Sequence, residues 1–253
     1  MYKKFLEKVY RPLWRWLLND VDKLVIANPE CLPANSIQSH RGRVGATAYG
    51  VDVGRYPEAR DELIVKWQQR FDRRFYLFVG GLLYRRGLHT LLEALTGTDM
   101  MLVIVGQGPE EQALKQQALE LGLDNVHFLG SLPEEDKLAL LSLCYGLVFP
   151  ANKRKDGVSF LEAAIFGRPV IYCESDTGGR YLDIAVEAGL VVVPEDVLAL
   201  RGAMARLWNY PCLALQMGKL AQRRVQTLFA ADMMAKNYVR LYVDVISGNA
   251  MTP

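Results

Sequence analysis

From Phe75 onward, short β-branched or aromatic runs alternate with segments of helical periodicity, and this alternation constrains the fold more than any other feature of the chain. The spacing predicts strands near 75–79, 101–105, 126–129, 146–149, 169–173 and 189–193, with helices near 88–95, 109–121, 134–143, 159–166 and 196–208. Strands separated by helices form a parallel sheet covered by helices on both faces, because each parallel strand needs a crossover to return to the same edge. Ligands of such sheets bind outside the carboxyl ends of the strands, so the loops after Val79, Val105, Leu129 and Phe149 are where chemistry is expected. Two further helices, at 212–228 and 231–246, close the pattern.

Before Phe75 the pattern changes to a basic helix up to about Asn19, one strand at Lys23–Ala27, a Pro- and Asn-rich irregular stretch, then Val44–Tyr49 and the turn Gly50-Val51-Asp52. A lone strand and helix cannot bury their own faces, so residues 1 to about 40 must pack on the main domain or on a partner. The expected organisation is therefore a remnant of another domain at 1–42, the main domain at 43–230 and a C-terminal helix and tail at 231–253. Lys3, Lys4, Lys8, Arg11 and Arg15 interrupt Phe5, Leu6, Val9, Leu13, Trp14, Trp16 and Leu17, which denies this segment the continuous apolar core of a signal peptide. Two readings stay open for it: lying on an anionic membrane surface, with Lys and Arg at the headgroups and Trp at the interface, or packing against a domain. The most apolar stretch, Leu138 to Ala151, is broken by Gly146 and Pro150 and is well short of the ~20 residues that span a bilayer.

Thirty basic residues against 28 acidic ones give a formal net charge of +2, too balanced for a protein that depends on broad neutralisation of nucleic-acid phosphates. Any anion it binds is recognised locally. Cys31, Cys144, Cys173 and Cys212 form no C-x-x-C pair and fall mostly in apolar runs, which reads as reduced core cysteine in a cytoplasmic protein. His40, His89 and His127 have no second ligand at close helical spacing, so no metal site is expected.

Chemistry concentrates between Phe149 and Cys173: a strand ends, the basic loop Asn152-Lys153-Arg154-Lys155-Asp156-Gly157 follows, a helix starts at Ser159 and stops at Gly167, and Pro169 opens the next strand. Ser159 and Glu162 have the S-x-x-E spacing of a capping box, which would leave the amides of Gly157, Val158 and Phe160 near an anion site. On these residues alone Glu162 is a cap or a ligand-binding acid. The segment D-G-V-S-F-L-E-A-A-I-F-G-R-P-V-I, Asp156 to Ile171, resembles the donor signature of the family-four nucleotide-sugar glycosyltransferases, which have the two-Rossmann-domain (GT-B) architecture. Three more segments match in order: Val44 to Tyr56, Phe78 to Leu92, and Val103 to Gly130. The resemblance covers about Asp22 to Leu207 and implies an α/β, Rossmann-like donor half, with the family's N-terminal acceptor domain almost wholly absent.

The resemblance also assigns residues. Glu162 binds the ribose of the donor nucleotide, and the Leu129-Gly130-Ser131 turn brings backbone to the base. Gly80 and Gly81 let backbone approach a ligand closely, while Arg85 and Arg86 precede a helix whose amino end is partially positive, a setting suited to a diphosphate. Gly106-Gln107-Gly108-Pro109 reads as a strand-to-helix turn with Pro109 at the first helical position; as a dinucleotide fingerprint it fails, since the third glycine is Gln112.

The chain departs from the family twice. Gly81 stands where the family has arginine and Arg86 where it has lysine. Arg154 occupies the place of a glutamate that accepts hydrogen bonds from the donor sugar, and arginine cannot accept one. Either Asp156 replaces that carboxylate, or Lys153, Arg154 and Lys155 face the phosphates, or the transfer function has decayed and the loop is solvated: three readings that the sequence leaves equal. Glu174 to Tyr181 resembles a segment of the mannosyl- and rhamnosyltransferases of bacterial surface-polysaccharide synthesis. The implied activity is retaining transfer of a hexosyl unit, with mannosyl favoured, from GDP-mannose or a UDP-sugar to a glycan or lipid-linked acceptor. No separate cofactor or metal is implied, and Arg86 and Glu162 are the expected catalytic pair. The rival class is a non-catalytic nucleotide-binding subunit. A separate polypeptide carrying the N-terminal half is the expected partner.

Overall fold

In the computed structural model the described residues are 10, 12–13, 16–26, 44–46, 50–53, 56–151, 158–173 and 188–247. Strands β1 (Leu24–Ile26) and β2 (Val44–Ala46) come first, followed by helix α1 (Asp61–Arg70). Then come β3 (Phe75–Val79), α2 (Leu88–Leu95), β4 (Met101–Val105), α3 (Glu111–Glu120), β5 (Val126–Phe128), α4 (Glu134–Leu143) and β6 (Gly146–Phe149). The chain continues through α5 (Val158–Ile165), β7 (Val170–Cys173), β8 (Gly189–Val192), α6 (Val197–Asn209), α7 (Pro211–Leu228) and α8 (Ala231–Ile246).

Packing divides the chain into two compact units, 51–230 and 1–50 together with 231–253. The boundary differs from the one expected at 42/43, and α8 groups with residues 1–50 rather than standing apart. In that smaller unit β1 and β2 pair in parallel, Leu24 opposite Val44 and Ile26 opposite Ala46. Helix α8 lies against them: Leu241 fills the space where a side chain on Gly45 would sit, and the Gly50 amide donates to Met234 Sδ at 3.2 Å.

The larger unit holds a six-stranded parallel sheet in the order β5-β4-β3-β6-β7-β8. Every side chain of β4, β6 and β7 is buried, which explains why these strands read as unbroken apolar runs rather than alternating ones. Helix α2 packs on α3 and α6, while α4 packs on α1 and α5, and α5 on α7. A chain of rings knits the centre: Phe78 stacks on Phe149 at 5.8 Å, Phe149 meets Phe160 edge-on at 5.3 Å, and Phe160 meets Tyr172 at 5.5 Å. Cys144 and Cys173 belong to this core, and burial pushes both thiols up to about 12; Cys212 is exposed on α7, and Cys31 lies outside the described residues.

One helix went unread in the sequence. Helix α1 opens on Asp61 and Glu62 and closes on Arg70, charges that suit the helix dipole, and Leu63, Ile64 and Trp67 recur at helical spacing. It is held to α4 through a buried carboxylate: Asp136 accepts from Trp67 Nε1 at 2.8 Å and from Lys66 Nζ at 2.9 Å. The Lys66 hydrogen bond, and after it the Trp67 bond, hold the Asp136 carboxyl below its usual range against the opposing effect of burial. A depressed folded value means that the stabilisation is complete above the unfolded value of about 3.9 and disappears as pH falls through the folded one. Because the Lys66 side chain is 56% exposed, the ion pair is screened, and Asp136→Asn should cost only about 1 kcal/mol at neutral pH. Urea midpoints of the two proteins should converge as the buffer is taken below pH 4; a constant gap would contradict the assignment.

Candidate functional site

The strand order sets the site. Numbered within the unit, the sheet runs 3-2-1-4-5-6, so consecutive connections leave β3 and β6 in opposite directions, and a crevice opens between their carboxyl ends. On one side of it the β3 loop turns through a short 3₁₀ segment, Tyr84–Arg86, and reverses at Gly87 (φ 70°) into α2. On the other side β6 leads through Pro150 and Ala151 toward α5. The two loops touch: a Cβ on Gly87 would lie 2.0 Å from the Pro150 carbonyl oxygen, so only glycine permits this approach.

Glycines at successive strand ends build a main-chain seam beside the crevice. The Gly80 amide donates to Val105 O at 3.0 Å, and the Gly106 amide donates to Gly130 O at 2.8 Å. Leu82 N reaches Gln107 O at 3.0 Å, and Leu129 N reaches Ile104 O at 2.9 Å. Gly80, Gly81, Gly106, Leu129 and Gly130 are thus brought to one edge, as the sequence placed them. Gly106 and Gly108 serve backbone packing, against Gly80 and Leu82 respectively. Pro109 stands ahead of α3, whose N-cap is Glu110, and not at its first position.

The two arginines separate. Arg85 is exposed, whereas Arg86 is partly buried with its guanidinium carbon 5.0 Å from the centre of the Phe149 ring, over the end of β6. Arg154, Asp156 and Gly157, with Lys153 and Lys155, lie outside the described residues, as does the Glu174–Tyr181 segment. Val158 and Ser159 are described only as helical backbone. Phe160 is buried in the ring chain, so what it can offer a ligand is its main-chain amide.

Glu162 sits one turn into α5 and is 8% exposed. Glu162 would close the capping box expected from the S-x-x-E spacing at the start of α5, where Gly157 and the Ser159 side chain lie outside the described residues. Its Oε1 accepts from Tyr56 Oη at 3.1 Å and from Lys137 Nζ at 3.0 Å. Lys137, on α4, also lies 2.7 Å from Glu134 Oε1. Burial acts to lower the Lys137 pKa, but the bonds to Glu134 and Glu162 outweigh it and raise the value overall. Burial and then the Glu162 charge push the Tyr56 phenol upward, so it stays a donor at neutral pH. The Tyr56 ring rests edge-on against Phe166 at 6.2 Å, which fixes where its hydroxyl points. Lys137 and Tyr56 received no role from the sequence, because their partner lies 25 and 106 positions away and no local spacing signals either contact.

Among the described residues no cluster of His, Cys, Asp and Glu could hold a metal ion, and no helix is long and apolar enough to cross a membrane.

A doubly wound parallel sheet with a glycine-lined carboxyl edge, a guanidinium at the crevice and a buried acid on the following helix defines an α/β protein with a crevice at its topological switch point. The chain belongs to the group 1 glycosyl transferases, whose family signature matches residues 59–224. It is 43% identical over 232 residues to the D-rhamnosyltransferase WbpZ of Pseudomonas aeruginosa, covering 90% of this chain and 61% of that protein. To the O-antigen chain mannosyltransferase C of Escherichia coli it is 34% identical over 252 residues, covering 98% and 67%. Anabaena HepE, solved with UDP and glucose, shares the fold with a TM-score of 0.79 at 18% identity, over 96% of this chain and 68% of that one. The C-terminal domain of the group 1 protein LpcC from Francisella tularensis gives 0.61 at 19% identity, over 72% of this chain and all of that one. The parallel sheet with helices on both faces, expected from the alternation and from the GT-B resemblance, is the fold observed. The chain spans about three fifths of the length of WbpZ.

Proposed function

We propose that this chain carries the nucleotide-sugar site of a retaining glycosyltransferase that moves a mannosyl or rhamnosyl unit to a glycan or lipid-linked acceptor. The observation that carries the reading is Glu162: an acid that is nearly buried, at the carboxyl edge, in a family member 43% identical to a named rhamnosyltransferase. In this reading the ribose lies on Glu162 and the diphosphate lies against the amino end of α5 and Arg86. Negative charge that grows on the departing diphosphate is stabilised there by preorganised amides and a guanidinium, without a metal or a separate cofactor. Acceptor binding belongs to the share of the relatives that this chain does not span, on the same or a second polypeptide. The setting is cytoplasmic, and the exposed Leu13, Trp16 and Leu17 favour contact of the N-terminal helix with the inner membrane face.

A second reading, a nucleotide-binding subunit without transferase activity, is favoured by Gly81. A Cβ there would meet nothing nearer than Gln107 O at 3.8 Å, so packing does not forbid the arginine that the family resemblance expects. Calorimetric titration with GDP-mannose, UDP-glucose and NAD tests the shared premise: one sugar nucleotide should bind and NAD should not. Absence of saturable heat with every sugar nucleotide would overturn both readings. Transfer of labelled sugar to an acceptor extract then separates the first from the second.

A further inference from the structure

We infer that Lys137 is a positioning residue for the nucleotide ribose, acting through Glu162, with the Tyr56 hydroxyl as its second support. The inference rests on the proposed placement of the ribose at Glu162 and adds the residues that make that acid usable.

The geometry is specific. Helices α4 and α5 both begin at the carboxyl edge of the sheet, and Lys137 and Glu162 leave their first turns toward each other. The Glu162 side chain is 10% exposed, so its carboxylate is largely withdrawn from water. The Lys137 ammonium, 3.0 Å away, supplies the countercharge and a donor that holds the carboxylate in place. Both bonds among the described residues end on Oε1, and Oε2 is assigned to the adjacent 2′- and 3′-hydroxyls of a ribose.

Glu134 completes the device. Its carboxylate is 62% exposed and lies 2.7 Å from the same ammonium, three positions away on α4. It therefore restrains the long lysine chain in the rotamer that reaches Glu162, at little desolvation cost. The raised Lys137 pKa agrees with an ammonium shared by two acids. Tyr56 holds the same carboxylate oxygen through a ring that rests edge-on against Phe166.

The test compares calorimetric binding of GDP and UDP with that of their 2′,3′-dideoxy counterparts, in the unaltered chain, Lys137→Met and Lys137→Arg. The unaltered chain should prefer the ribonucleotide by about tenfold or more, the size expected for hydrogen bonds to an ionised acceptor. Lys137→Met should lose most of that preference by weakening the ribonucleotide alone, and Lys137→Arg should restore part of it. A general packing defect would weaken ribo and dideoxy forms equally, which overturns the inference, as does a Lys137→Met chain that keeps the full preference. If the unaltered chain itself shows no preference, the placement of the ribose on Glu162 fails first. Should Lys137→Met not fold, Lys137→Gln, which keeps a hydrogen-bond donor but no charge, carries the same comparison.

Discussion

Glu162→Gln is expected to weaken nucleoside diphosphate binding by about thirtyfold to a hundredfold while leaving the melting temperature within a few degrees. The amide keeps the volume of the carboxylate and can still accept from Tyr56, so the buried site need not collapse. It loses the charge that meets Lys137 and replaces one acceptor with a donor that opposes a ribose hydroxyl. Hydrogen bonds to charged groups contribute about 1.5–3 kcal/mol each, and 1.4 kcal/mol is a factor of ten in affinity. Isothermal titration with the nucleotide that the unaltered chain prefers would read this directly. A dissociation constant within twofold of the parent would remove Glu162 from the binding site.

The second large effect concerns Gly106. At φ 142° its backbone is in a region that side chains avoid, and an added Cβ would lie 1.9 Å from Gly80 O and 2.8 Å from Gly80 C. Neither strand end can retreat freely, because Gly80 N is bonded to Val105 O and Gly106 N to Gly130 O. Gly106→Ala is therefore expected to cost 3 kcal/mol or more, about 2–3 from conformation and the remainder from displaced main chain. Gly97→Ala provides the comparison: φ there is 73°, but nothing lies within 4 Å, so only the conformational part, about 1 kcal/mol, should appear. In a unit of this size each kcal/mol shifts the melting temperature by about 2–4 °C. Equal shifts for the two variants would show that the seam is softer than its contacts imply.

The central strands of the sheet were legible because they are buried on both faces. Phe75–Val79, Met101–Val105 and Gly146–Phe149 begin and end where the apolar runs do, and Gly or Pro marks each exit. Helix α1 carries a local signal too, but its seat on α4 was not legible, because Trp67 and Lys66 meet Asp136 on a helix far along the chain. At the site the edge glycines and Arg86 could be read from their places after strands, but the surroundings of Glu162 could not. Local S-x-x-E spacing speaks only of the helix start, whereas the two donors that meet the acid come from the loop before α1 and from α4. Sequence periodicity reports which face of an element is apolar; it carries no information about which distant donor will meet a buried acid.

The bridge that closes the larger unit has a consequence of its own. Val51 pairs with Ala230, and its amide donates to Phe229 O at 2.7 Å, so the polypeptide enters and leaves this unit through adjacent residues. That is the geometry of a cassette inserted into a host. Joined by a short link, the two ends could be sealed and new ones opened in an exposed surface turn, such as the one around Gly97, without altering the order of the strands.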